Sequence, residues 1–347
     1  MALQKPFEIG GEIITPGSRR TIDIPVSVLP DHTPVTMSAH VIHGRRAGPV
    51  VFVSAGVHGD EVIGVEIVRR LLNVDSLNRL VGTLIAVPMV NAFGMMNLSR
   101  YLPDRRDLNR CFPGSDKGSL ASRLAHIFLT EIVKRSDLGI DLHSAAIHRT
   151  NLPQIRISPG NAETKRLAEL FGVPVVLRAP LREGSLRAAA QKAGVDVLLY
   201  EAGEALRFDE MAVRAGVLGI LRILRDRRMI GPKGITRPRT QPVFSDSSRW
   251  TRTSQGGLFR CYRSEGEVVQ EGEVLAVVSD PFGEVEHEIT ASSDGIIIGR
   301  AVMPVVNEGD AVFHIARVGN TDDAEERMDA ISTQLEADPL FDEDEIL

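Results

Sequence analysis

The stretch Ser54–Leu72, SAGVHGDEVIGVEIVRRLL, decides the fold. A strand-like apolar run, GPVVFVSAG over 48–56, ends at Gly56, and helical spacing takes over at 61–73. Between them sit an imidazole and an acid, His58 and Glu61. The pattern recurs along the chain. Strand-type runs at 35–44, 83–90, 137–143, 173–178 and 195–203 alternate with helical patterns at 119–135, 161–171, 184–193 and 209–228. Such alternation predicts an α/β sandwich around a largely parallel or mixed central sheet. No internal repeat is visible.

After residue 235 the texture changes. GITRPRTQPVF is rich in Pro and polar residues, helical spacing stops, and from 257 short alternating runs are punctuated by Gly, Asp and Pro. The expected division is an α/β catalytic domain over 1–240, with β segments in its first 45 residues, then an all-β domain over 245–320 that folds on its own. The run from Glu265 to Arg300 resembles a biotinyl/lipoyl-like barrel sandwich. Modules of that kind carry their cofactor on a lysine, and no lysine follows Lys233, so the resemblance implies a cap or an assembly surface instead. A non-enzymatic binding or assembly role would rest on that unit.

Net charge is −6, but residues 321–347 carry eleven acids against the single Arg327, which leaves +4 on the remainder. The expectation for that tail is a solvated, disordered end. With 43% hydrophobic and 25% charged residues and no apolar run near the roughly 20 residues that span a bilayer, a membrane partner is not expected. A dense Lys/Arg stripe is lacking and aromatics are 5%, which argues against nucleic acid. The first twenty residues do not read as a secretory signal, and the two cysteines, Cys111 and Cys261, fit a reduced compartment; the expected location is the cytoplasm. Homo-oligomerisation is compatible with all of this.

Too few cysteines for a cysteine-rich metal module means that any zinc must be held by His and carboxylates. His58 and Glu61 are three apart where a strand feeds a helix. Two further strand-type runs end on His143 and on Glu201. In open α/β sheets ligands bind beyond the carboxyl ends of strands, so these residues belong to one site. Two imidazoles with one carboxylate leave a fourth zinc position open, which is the catalytic pattern. His148 and Glu204 are rivals near His143 and Glu201. The long segment 91–114 reads as a functional loop, in which Arg110 offers a planar fork for a substrate carboxylate and Asn109 a neutral donor. Cys111 has nothing to activate it and reads as a packing residue.

In order, HGDE, RDLNRCFPG, DLHS and YEAG resemble the succinylglutamate desuccinylase and aspartoacylase family, a branch of the zinc carboxypeptidase-like hydrolases, over roughly 35–320. The resemblance implies hydrolysis of an acetyl or succinyl amide on a small N-acyl amino acid. It implies one zinc per chain on His58, Glu61 and His143, with Glu201 as general base. It also implies that Arg110 and Asn109 bind a substrate carboxylate, that Asp107 orients His58, and that Arg100 polarises the scissile carbonyl, with Arg105 and Arg106 as competitors. The same metal set would serve a carboxypeptidase acting on short peptides.

Overall fold

The computed structural model describes residues 4–336. Its centre is a mixed sheet of 13 strands. Strands Val50–Ala55, Thr83–Val87 and Leu138–His143 are mostly apolar and almost wholly buried, as strands covered on both faces must be, and Val50–Ala55 runs parallel to the other two. Asp196–Gly203 adds in parallel on the far side of Leu138–His143. The antiparallel hairpin Ser18–Val28 and Pro34–His43 closes one edge.

Helices cover both faces. Ile63–Leu72 and Glu210–Asp226 bury Ile63, Ile67, Leu71, Leu218 and Leu221 on one side. Leu120–Glu131 and Leu186–Lys192 bury Leu124, Phe128, Leu186 and Ala190 on the other. Each of the five helical patterns in the sequence corresponds to a helix within a few residues at either end. The first begins at Ile63, so Glu61 precedes it. The segment 91–114 is less bare than expected, holding the short helix Ala92–Met96 and a 3-10 turn at Leu108–Arg110.

One strand was not visible in the sequence. Arg149–Ile157 contains Pro153 and five polar or charged residues, Arg149, Thr150, Asn151, Gln154 and Arg156, which disguise it as a loop. It pairs antiparallel with Asp196–Gly203 and, at its other edge, with Gly295–Ala301. The sheet therefore runs without interruption from the catalytic strands into the strands that follow residue 243. Within that later region a four-stranded antiparallel sheet packs Phe259, Leu275, Val278 and Ile289 against Ile297, Phe313 and Ile315 of the large sheet. The expected break near residue 240 is thus crossed by hydrogen bonds, and Val243–Ser245 itself pairs with Val175–Arg178.

The expected solvated tail is also different in its first part. Thr321–Glu336 is an α-helix, and Ala324, Met328, Ile331 and Leu335, spaced four, three and four apart, form one buried stripe beneath its acids. Ala324 and Met328 pack with Leu152, Val175, Ile296 and Ile298, whereas Ile331 and Leu335 join the core of the catalytic helices. Residues 337–347 lie outside the described part. Ile331→Ala is expected to cost about 2–4 kcal/mol, seen as a lower urea midpoint, because it opens a cavity in that core. Asp329→Ala, on the exposed face, is expected to stay within about 0.5 kcal/mol. Equal midpoints for the two variants would mean that the helix does not dock.

Candidate metal and substrate site

Strand Val50–Ala55 ends in a tight turn. Gly56 takes a positive φ of 62°, and a Cβ on Gly59 would lie 1.9 Å from the Gly94 carbonyl carbon, so the turn passes where only glycine fits. It delivers His58 and Glu61, both buried, to the end of the neighbouring strand that carries His143. Donor atoms of the three side chains lie within 4.8 Å of one another. His58 Nδ1 is 2.7 Å from Glu61 Oε1, and His143 Nδ1 is 2.7 Å from Glu61 Oε2.

Each imidazole is steered from behind by an aspartate. His58 Nε2 lies 3.0 Å from Asp107 Oδ1, and His143 Nε2 lies 2.8 Å from Asp141 Oδ2. A carboxylate there holds the ring proton on Nε2, leaving the Nδ1 lone pairs directed at Glu61. Lone pairs and a carboxylate converging in this way need positive charge between them. Burial alone would raise the Glu61 pKa, yet positive charge on His58 and His143, each 2.7 Å away, holds its carboxyl far below the usual range, and a cation among the three donors would supply that charge with both rings neutral. Two imidazole nitrogens, one carboxylate oxygen and aspartates behind the rings fit a zinc ion with a position left for substrate or water.

Asp107 is a hub as well as a tether. Its Oδ1 also accepts from the Asn109 amide at 2.8 Å, and its Oδ2 accepts from Arg100 Nη2 at 3.1 Å. Arg100 Nη1 donates to Glu61 Oε1 at 3.3 Å. Arg100 is therefore beside the triad, whereas Arg105 and Arg106 are exposed and do not line the cavity. Asn109 Oδ1 accepts from the Leu186 amide at 2.9 Å, which fixes the side chain and leaves its NH2 group for the cavity. Arg110 lines the same cavity.

Glu201 stands opposite His143 in the parallel register, and residues paired in this way project to the same face. Asn151 Nδ2 donates to Glu201 Oε2 at 3.0 Å, and Arg156 Nη1 is 3.8 Å from Oε1. Glu204 is engaged elsewhere, accepting from the His148 amide and pairing with Arg207 at 2.9 Å. The His148 side chain is exposed and outside the triad.

The cavity that joins these groups holds about 300 Å³. Part of its lining was not anticipated: Asn151 and Arg156 from the hidden strand, Arg187 from the helix after Ser185, and Trp250 and His314 from the strands beyond 243. Asp141 was likewise missed, although an acid two residues before His143 on one strand face is a readable signal. A larger cavity of about 670 Å³, walled by Arg166, Arg222, Arg237 and neighbours, shares none of these residues.

The catalytic-domain model of the succinylglutamate desuccinylase/aspartoacylase family matches residues 47–227. An N-alpha-acetyl-L-2,4-diaminobutyric acid deacetylase from Halomonas elongata is 27% identical over 301 residues, covering 79% of this chain and 84% of that protein. The product-bound structure of the ectoine utilization protein EutE (DoeB) from Ruegeria pomeroyi superposes with a TM-score of 0.78 at 22% identity, covering 87% of this chain and 95% of that one. A succinylglutamate desuccinylase/aspartoacylase structure from Rhodobacter sphaeroides gives 0.76 at 25% identity, with 86% and 95% covered. Motif order, fold and family match agree: the chain belongs to the succinylglutamate desuccinylase/aspartoacylase family, hydrolases that act on amide bonds.

Proposed function

We propose that the protein is a zinc-dependent amidohydrolase that removes an acetyl or succinyl group from a small N-acyl amino acid. The observation that carries this reading is the placement of Glu201 beside a buried His58–Glu61–His143 set, in a cavity of about 300 Å³. That volume lies at the small end of ligand pockets and suits a single amino acid with a short acyl group.

His58, Glu61 and His143 would hold the ion, with Asp107 and Asp141 orienting the two rings. Zinc supplies a Lewis acid for the amide carbonyl and acidifies water toward neutrality. Arg110 and the NH2 group of Asn109 bind the substrate carboxylate, which fixes the scissile amide against the metal-facing side of the cavity. Arg100, anchored by Asp107 and Glu61, donates to the carbonyl oxygen as negative charge develops there. Glu201 accepts a proton from the attacking water and returns it to the nitrogen as the C–N bond breaks, giving a carboxylic acid and a free amine. The Asn151 hydrogen bond keeps the Glu201 carboxylate aimed during both transfers.

Zinc-loaded, full-length protein is expected to release free amino acid from members of a panel of N-acetyl and N-succinyl amino acids, and to leave unblocked tripeptides intact. Cleavage of the tripeptides with no turnover of the panel would replace this reading by a carboxypeptidase.

A further inference from the structure

The cavity of about 670 Å³ stands apart from the ion site. Helix Glu210–Asp226 begins soon after the strand that carries Glu201, and its 17 residues run about 25 Å before they reach this cavity at Asp226. Helix Ala162–Phe171 supplies a second wall, and the run 237–241 a third.

The lining is unbalanced in charge. Six arginines, Arg166, Arg222, Arg225, Arg228, Arg237 and Arg239, face two carboxylates, Glu169 and Asp226. Both acids are engaged. Arg166 donates to the two Asp226 oxygens at 2.9 and 2.7 Å, and Lys165 Nζ is 3.5 Å from Glu169. Arg222 and Arg225 are engaged with backbone: the first donates to the Phe171 and Thr236 carbonyls, the second to that of Ile235, each at 2.8 Å. Arg228, Arg237 and Arg239 have no side-chain hydrogen bond or ion pair among the described residues. Arg166 first, with Arg227 and Arg237 behind it, holds the Asp226 carboxyl below its usual range, so one acid already serves three guanidiniums. Like charges gathered around one concavity repel one another, and an anion between them turns that repulsion into attraction.

The backbone beneath the unpaired side chains is fixed. Arg222 and Arg225 pin residues 235 and 236 from one side. From the other, Gln334 of helix Thr321–Glu336 accepts from the Arg239 amide and donates to the Arg237 carbonyl, both at 2.9 Å. Pro238, between the two arginines, restricts the chain further. Arg228 holds φ at 58°, in the left-handed region where a side chain is costly and glycine is usual. Its guanidinium has no described partner that accounts for keeping an arginine there.

Guanidinium forks match the paired oxygens of phosphates and carboxylates. No aromatic ring lines the cavity for a base to stack on, and Leu170 and Pro238 are its only apolar residues, so neither a nucleotide nor an apolar ligand suits it. We propose that this cavity is a second ligand site, distinct from the reaction site, which binds a compact, non-aromatic anion of several charges through Arg228, Arg237 and Arg239. Two sources offer that chemistry. One is a free solute bearing two or more phosphates. The other is the chain itself: Asp338, Asp342, Glu343, Asp344 and Glu345, outside the described part, follow in sequence the helix whose Gln334 is bonded to the cavity's rim. Deacylation plays no part in this binding, and occupancy stabilises the folded chain.

Fructose 1,6-bisphosphate, a non-aromatic compound with two phosphates, serves as the probe. It is titrated calorimetrically, at about 0.15 M salt, into the full-length protein and into the full-length variant Asp342→Asn/Glu343→Gln/Asp344→Asn/Glu345→Gln. Saturable binding to both with about equal affinity identifies a solute as the occupant. Binding to the variant at least about tenfold tighter than to the wild type identifies the chain's own acids, which compete at the high effective concentration of a tethered ligand. In Arg237→Gln/Arg239→Gln, introduced into whichever protein binds the probe better, affinity is expected to fall by at least about tenfold. Both side chains are exposed, so the fold is expected to persist. Arg228→Gly, which suits the positive φ, removes the third guanidinium and is expected to weaken binding likewise. Arg79→Gln, at an exposed arginine outside the cavity, is expected to leave affinity unchanged. The probe is also expected to raise the melting temperature of the proteins that bind it and not of the cavity variants. Absence of saturable binding to either protein, or binding that survives both cavity variants, would overturn the site.

Discussion

Exchanging both imidazoles in a His58→Ala/His143→Ala double variant is expected to take the zinc content from about one ion per chain to background, with hydrolysis lost alongside. Two of the three donors that lie within 4.8 Å of one another are then gone, and Glu61 alone is a poor site for a borderline-soft ion. The double variant also removes both partners that hold the Glu61 carboxyl far below its usual range, so a buried carboxylate loses its compensation. Elemental analysis, combined with circular dichroism to establish that the chain is folded, reads the outcome. Full zinc occupancy in a folded double variant would remove the ligand assignment.

The second large effect is expected from Glu201→Gln, which preserves side-chain volume and the Asn151 contact but cannot accept a proton. Zinc content is expected to remain at the wild-type level, because Glu201 is not among the three converging donors. The kcat is expected to fall by at least about 10²-fold, the usual scale for a general acid–base group. Glu204→Gln supplies the contrast. Its carboxylate is engaged with the His148 amide and Arg207, away from the cavity, so its effect on kcat is expected to be several-fold at most. Wild-type turnover in Glu201→Gln would assign proton transfer to another group.

What the sequence reveals of the site follows from where chemistry is local. His58 and Glu61 share one turn, His143 ends one strand and Glu201 lies two residues from the end of another, and Asp107, Asn109 and Arg110 sit in one short run, so a linear reading reaches all of them. The wall of the cavity is not local. Arg156 and Asn151 lie on a strand whose polar face turns toward the cavity, and that polarity is what concealed the strand. Trp250 and His314 arrive through pairing of strands far apart in the chain, which no spacing rule encodes. The helix Thr321–Glu336 was hidden by its charge: its acids dominate the composition, whereas Ala324, Met328, Ile331 and Leu335 carry the helical period beneath them. The boundary expected at residue 240 is one of texture, and strand pairing crosses it.

The unbroken sheet has a consequence for how such a protein changes over generations. The three converging donors and the two aspartates behind the rings all fall between residues 58 and 143, while Trp250 and His314 are encoded more than a hundred residues later. An exchange of the later stretch rewrites the face presented to the substrate and leaves the bond-breaking apparatus as it was. That freedom has one restriction. The incoming piece must still add its strand to the edge of Arg149–Ile157, because otherwise the backbone of the strand carrying Asn151 and Arg156 is left open. Inheritance can therefore vary what the pocket accepts far more readily than how the pocket is attached.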